Sequence, residues 1–141
     1  MIGDESLRRA LRDTPAALAI GTDTPGLPAT LVAQARAASR EADAVPGPCE
    51  DGGYYLLGLR RCPPGLLRDL PWSEPDTFVR TLARLRDRGL TTAVIAPWFD
   101  VDRPADLACL HALVARGELH APRTAQALAG IAAALGAGGC V

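Results

Sequence analysis

Two apolar runs that break into loops carrying a carboxylate, a glycine and a proline constrain this chain more than any other feature: IGTDTPGLP, Ile20 to Pro28, and PGPCEDGGYYLLGL, Pro46 to Leu59. A third acidic loop, FDVDRPADL from Phe99 to Leu107, follows another apolar run. An acid just past a buried strand sits where open α/β sheets hold ligands, because the carboxyl ends of the strands border a crevice. Three such loops in a short chain point to a site for a cation and a phosphorylated ligand.

The periodicities between the loops agree with an α/β sheet. Glu5 to Arg12 predicts a helix, with Leu7 and Leu11 four apart on one face. Ala16 to Gly21 is a continuous apolar run, hence a buried strand, and Ala29 to Ala42 an alanine-rich helix with Pro28 at its first turn. Asp43–Gly47 and Tyr54–Leu59 are the next strands. The four prolines between Arg60 and Asp76 make that stretch irregular. Thr77 to Arg88 is amphipathic and closed by Gly89, and Thr91 to Pro97 is β-branched and strand-like. Helices over Pro104–Arg116 and Thr124–Leu135 follow, and Gly136 to Val141 reads as a frayed tail. Alternation of this kind predicts a parallel or mixed sheet covered by helices on both faces, a three-layer α/β/α domain, with Ile20, Val45, Leu56 and Val94 buried in its strands.

Composition excludes several functions. The 141 residues suit one domain, and 15 basic against 16 acidic side chains give no field to attract nucleic acid or an anionic membrane. All the basic side chains are arginine, so there is no lysine for a Schiff base or a lysine-bearing phosphate loop. The four cysteines lack metal-ligand spacing, and neither a signal peptide nor a membrane-spanning apolar run is present, so a cytoplasmic protein is expected.

Asp23, just beyond its strand, can hold a hard cation such as Mg²⁺ or Mn²⁺ together with phosphate oxygens. It serves equally well as the acceptor of an Asx turn. Asp100 and Asp102, two apart, should face one side of an extended segment and could share that cation. Asp106 falls in the first helical turn, where its charge favours the helix dipole. Glu50, Asp51, Gly52 and Gly53 read either as a binding loop, open to a sugar at its glycines, or as a D-G hairpin turn. Pro46 and Pro48 argue against a tight ladder before that turn and favour the binding loop. Trp72 could stack on a sugar or base or fill a gap under the proline-rich stretch, and Tyr54 and Tyr55 should face opposite sides of the sheet. No nucleophile–base arrangement emerges.

Taken in order, IGTDTPGLP, GPCEDGGYYLLGLRR, LPWSEP and DVDRPADL resemble a bacterial family of uncharacterised glycosyltransferase-A-type proteins, some linked to arsenosugar biosynthesis, within the nucleotide-diphospho-sugar transferases. The resemblance runs from about Leu7 to Leu110. It implies a glycosyltransferase-A fold, a divalent cation (Mg²⁺ or Mn²⁺), and a nucleotide sugar or nucleoside triphosphate as substrate with an acceptor. Asp23 matches the metal-holding acid after the central strand. Asp102 matches the second ligand of a V-D-T-P-E-D-L-like motif, with Arg103 in place of its threonine, and Asp100 stands beside it. Asp51, Gly52 and Gly53 match the loop expected beside the sugar or acceptor, and Thr22, Glu50, Tyr54 and Trp72 are further candidate substrate contacts. Family members open with a strand and a Lys- and Arg-bearing phosphate loop, whereas this sequence opens on a helix. The expectation is therefore an N-terminally truncated fold, its C-terminal two thirds in residues 1–141, acting as an incomplete metal-dependent transferase. The alternative is a non-catalytic module that pairs with another chain, or with itself, through an exposed sheet edge.

Overall fold

A computed structural model describes residues 3–135. Its elements are α1 (Asp4–Ala10), β1 (Ala17–Ile20), α2 (Ala29–Ala38), β2 (Ala44–Pro48), β3 (Tyr54–Leu59), α3 (Thr77–Asp87), α4 (Pro104–Ala115) and α5 (Pro122–Leu135). They group into two compact units. The first comprises the chain up to Gly21 and Ala29–Phe99, and the second Thr22–Pro28 and the chain from Asp100 onward.

The first unit is built on a sheet of order β1-β3-β2, in which both pairings are antiparallel. Register puts Ala17, Ala44 and Leu59 side by side, with Leu57 on the same face. These residues join Leu7 of α1, Leu85 of α3 and Leu66, Leu67 and Leu70 of the irregular stretch in one buried core. Leu18, Gly58 and Val45 lie across from one another on the opposite face. There a methyl on Gly58 would stand 2.7 Å from the Leu18 side chain and 3.3 Å from the Ser39 hydroxyl just past α2. Helices thus cover both faces, as the alternation of apolar runs predicts.

Two departures from the sequence reading trace to proline. β2 and β3 do form a hairpin ladder, although Pro46 and Pro48 argue against one. The odd-numbered residues of β2 turn their backbone groups toward β3, so the even-numbered prolines turn theirs to the other side. On that side Thr91–Trp98 runs parallel to β2. Ala44 exchanges bonds with it in both directions, donating to the Thr91 carbonyl (2.9 Å) and accepting from Ala93 (3.0 Å). Pro46 and Pro48 only accept, from Ile95 (3.2 Å) and Trp98 (3.1 Å), because they have no N–H to give. The predicted strand at Thr91–Pro97 is accordingly reduced to two isolated bridges, Ala44 to Thr92 and Cys49 to Trp98.

Val45 and Leu56 are fully buried, whereas Ile20 is 39% and Val94 52% exposed. Ile20 ends a strand at the sheet edge and Val94 lies in the outer, half-laddered segment, so neither is enclosed as a central strand residue is. Asp43 pins that segment from below. Its carboxylate accepts from the Thr91 N–H (3.1 Å) and hydroxyl (3.2 Å) and pairs with Arg61 (3.1 Å). The Arg61 guanidinium first, and the Thr91 N–H second, hold the Asp43 carboxyl below its usual range.

In the second unit α4 and α5 pack against each other, with Leu110, Leu119 and Leu128 buried. Among the described residues no helix is long and apolar enough to cross a membrane.

Candidate functional site

The acidic cluster lies within the second unit and is assembled by backbone hydrogen bonds. Val101 donates its N–H to the carbonyl of Asp23 at 2.9 Å, which stitches the loop after β1 to the segment before α4. Flanking Val101 on either side, Asp100 and Asp102 turn back to the same neighbour, as a two-residue spacing in extended chain allows. One oxygen from each of Asp23, Asp100 and Asp102 then lies within 4.8 Å of the other two. Asp23 and Asp102 are exposed and Asp100 half-buried.

Asp106 holds the far side of this arrangement. Its carboxylate accepts the N–H of Arg103 at 2.8 Å and of Asp102 at 3.2 Å, the reach-back half of a capping box at the start of α4. The sequence reading gave Asp106 only a dipole role and so missed its hold on Asp102. The signal was present in the spacing, since D-R-P-A-D places an acid at the third helical position after Arg103. On the other side of the stitch, Gly26 (φ +70°) packs under Leu119, whose side chain a methyl there would meet at 2.6 Å. That contact fixes the bend carrying Thr22 and Asp23; Thr22 is exposed beside Asp23.

Glu50–Gly53 forms the tip of the β2–β3 hairpin in the first unit. The Gly52 N–H donates to the Cys49 carbonyl (3.4 Å), and the Cys49 N–H to the Gly53 carbonyl (3.0 Å). The Asp51 carboxylate accepts the Gly53 N–H at 2.9 Å, an Asx turn. Gly52 has φ +94°, and a methyl on it would lie 2.0 Å from the Pro75 carbonyl oxygen. The Gly52 carbonyl also accepts the Phe78 N–H at 2.8 Å. The close backbone approach expected of a ligand at this glycine is made by the protein's own segment leading into α3. Glu50 and Asp51 are exposed at the tip.

Where β2 meets this turn, the ladder skips from the Gly47–Leu56 pair to the Pro48–Tyr54 pair, leaving Tyr55 as a bulged residue. The tyrosines face opposite ways, as strand alternation has them. Tyr55 lies over Gly47, where a methyl would meet its ring at 2.6 Å, and its hydroxyl donates to the Ala96 carbonyl at 2.8 Å. Tyr54 turns into the core and meets Trp72 edge-on, ring centres 5.7 Å apart. Burial pushes the Tyr54 phenol well above its usual pKa, the neighbouring Thr81 offsetting this in part. The Tyr54 hydroxyl is buried without a hydrogen bond of ordinary geometry among the described residues. Trp72 thus occupies the packing position that the proline-rich stretch leaves open.

Residues 4–74, half of the chain, match the model of a family described as an uncharacterized protein conserved in bacteria, DUF2064. Among solved structures, a provisionally assigned nucleotide-diphospho-sugar transferase from Desulfovibrio desulfuricans G20 superimposes with a TM-score of 0.70 at 31% identity, over 77% of this chain and 48% of its own. The chain therefore spans about half the length of that structure. A search of curated proteins finds no match. The shared fold is of the glycosyltransferase-A type.

Proposed function

The chain belongs to the DUF2064 family, and from that footing we propose that it forms part of a metal-dependent nucleotide-sugar transferase, moving a glycosyl or nucleotidyl group. The observation carrying this reading is the meeting of Asp23, Asp100 and Asp102. Three carboxylates so close repel one another, each pair by about 1 kcal/mol even in a water-like dielectric. A shared divalent cation reverses that sign. The donors are all carboxylate oxygens, which fits a hard ion of the Mg²⁺ or Mn²⁺ kind and not a thiol- or imidazole-seeking one.

Such an ion, when bound, neutralises charge developing on a diphosphate leaving group. This chain's own part is positional. Asp23 and Asp102 would supply ligand oxygens from opposite sides of the Val101 stitch, with Asp100 completing the set. The Val101–Asp23 and Asp106–Asp102 hydrogen bonds fix the spacing of those oxygens before any ligand arrives. Thr22 would contact substrate from the same loop. On the first unit, Glu50 and the Asp51 oxygen not bonded to Gly53 are exposed at the hairpin tip as candidate acceptors for sugar or acceptor hydroxyls, while Gly52 and Gly53 shape the turn that presents them.

Titration with Mn²⁺, followed by the loss of the free-ion electron paramagnetic resonance signal, tests the reading. One saturable ion per chain is expected, weakened at least tenfold by Asp23→Ala and by Asp102→Ala. Calorimetry with UDP- and GDP-sugars, with and without Mn²⁺, reads the substrate class. Mn²⁺ binding that survives both substitutions would overturn the metal assignment. Nucleotide-sugar binding indifferent to Mn²⁺ would overturn metal dependence.

A further inference from the structure

Within the first unit, the turn between Pro63 and Leu70 and the end of α3 border an open cavity of about 460 Å³ lined by Pro64, Gly65, Arg68, Asp69, Arg84 and Arg88. Three of the six are arginines, in a chain whose charges otherwise nearly cancel. We infer that this cavity is a binding site for a small phosphorylated anion, independent of the acidic cluster and of the nucleotide-sugar reading.

Two of the three guanidiniums, those of Arg84 and Arg88, are held in place by the fold. Arg84 donates Nη1 to the carbonyls of Leu66 (3.4 Å) and Arg68, and Arg88 donates Nη1 to the carbonyl of Pro64 (3.2 Å). Each guanidinium carries five N–H donors in a planar fork. These bonds therefore use only one nitrogen of each and leave the remaining donors to a ligand. The ion pairs among the described residues, Arg61–Asp43, Arg80–Asp76 and Arg116–Glu118, draw on other arginines. Asp69 is the single carboxylate on the cavity wall, so the lining carries a net positive charge of two from three arginines and one aspartate.

Arginine forks match the oxygens of phosphate in paired hydrogen bonds, and those of Arg84 and Arg88 are already oriented by the turn. The volume falls in the range of small-molecule sites and exceeds what a lone phosphate fills, so a diphosphate or a sugar phosphate suits it better. Bracing of the turn, together with a favourable placement at the C-terminal end of α3, accounts for Arg84 and Arg88. It does not account for Arg68, which points no bond of its own side chain at that turn yet lines the same cavity.

Calorimetry with inorganic pyrophosphate in buffer containing EDTA tests the site on the full chain. Saturable binding is expected, weakened about tenfold, or ~1.4 kcal/mol, by Arg68→Gln. Asp69→Asn should strengthen it severalfold; Asp69 sits at φ +57°, a conformation that asparagine tolerates as well as aspartate. Both variants should keep the parent melting temperature, since neither side chain holds the turn. Affinity should also fall as salt is added. Absence of saturable binding, or binding unmoved by both substitutions, would overturn the site. So would binding that appears only when Mn²⁺ replaces EDTA, which would assign the anion to the acidic cluster.

Discussion

Replacing Gly52 by alanine separates an architectural glycine from a ligand-facing one. Three costs are set by the structure. At φ +94° an L side chain is strained, by ~1–3 kcal/mol. The new methyl would also stand 2.0 Å from the Pro75 oxygen and 2.5 Å from its carbonyl carbon, so backbone must retreat by about 1.4 Å to reach ordinary contact. That retreat stretches the 2.8 Å bond from the Phe78 N–H to the Gly52 carbonyl, a further ~0.5–1.5 kcal/mol, at the start of α3. With the ~1–3 kcal/mol typical of overpacking, the total is about 2.5–7.5 kcal/mol, a large share of the stability of an ordinary domain.

Gly89 and Gly53 supply the controls. Gly89 closes α3 at φ +69° with nothing within 4 Å of an added methyl, so Gly89→Ala isolates the conformational cost at ~1 kcal/mol. Gly53→Ala meets only the Asp51 side chain, at 3.2 Å, and should cost less than ~1 kcal/mol. Urea unfolding followed by Trp72 and Trp98 fluorescence measures all three. If Gly52→Ala is no more damaging than Gly89→Ala, the hairpin tip does not press on Pro75 as described, and ligand access returns as the reason for the glycine.

Three further outcomes follow from other parts of the molecule. Asp43→Ala should cost ~1–3 kcal/mol at neutral pH, because its carboxylate accepts from both Thr91 groups and Arg61. Since the folded-state pKa of Asp43 is lowered, its contribution is complete above the unfolded value and is lost as pH falls through the folded one. The variant should therefore show a shallower fall in stability below about pH 4, and an acid limb identical to the parent's would contradict this. Tyr54→Phe should be neutral or stabilising by up to ~1 kcal/mol, since it removes a buried hydroxyl with no well-formed bond; a loss above ~1 kcal/mol in the same urea assay would reveal a working bond to Thr81. Asp106→Ala should weaken Mn²⁺ binding severalfold through Asp102, and Asp106→Asn, which keeps an acceptor, should restore most of it; equal effects of the two would point to charge alone.

The strongly periodic segments were legible from sequence because burial on one side dictates their spacing. Leu7, Leu57, Leu59 and Leu85 fall where the apolar pattern places them, and Gly89 ends α3 as its left-handed tolerance implies. The hairpin was misjudged because a proline's effect depends on which edge of its strand lacks the N–H, and that is a property of pairing. Pro46 and Pro48 spare the ladder to β3 and degrade the one to Thr91–Trp98, so the same two residues explain the strand gained and the strand lost. Ile20 and Val94 were expected inside for their apolar character, but a residue's position across the sheet is absent from its local pattern. The cavity arginines were missed for a related reason. Arg68 and Arg84 are sixteen positions apart and meet only because the proline-rich turn folds back on α3.

The acidic loops show why spacing alone left each carboxylate with two readings. Every exposed aspartate near a turn or helix start can satisfy backbone N–H groups or present its oxygens outward, and local sequence is compatible with both. The structure divides these tasks between residues. Asp51 spends its carboxylate on the Gly53 N–H, and Asp106 spends its own on Asp102 and Arg103. Asp23 joins the second unit together through its main-chain carbonyl, which requires no side chain at all. Asp23, Asp100 and Asp102 bring one oxygen each within 4.8 Å of the other two, and that gathering of hard oxygen donors, more than the motif, makes the cluster the place to look for a cation.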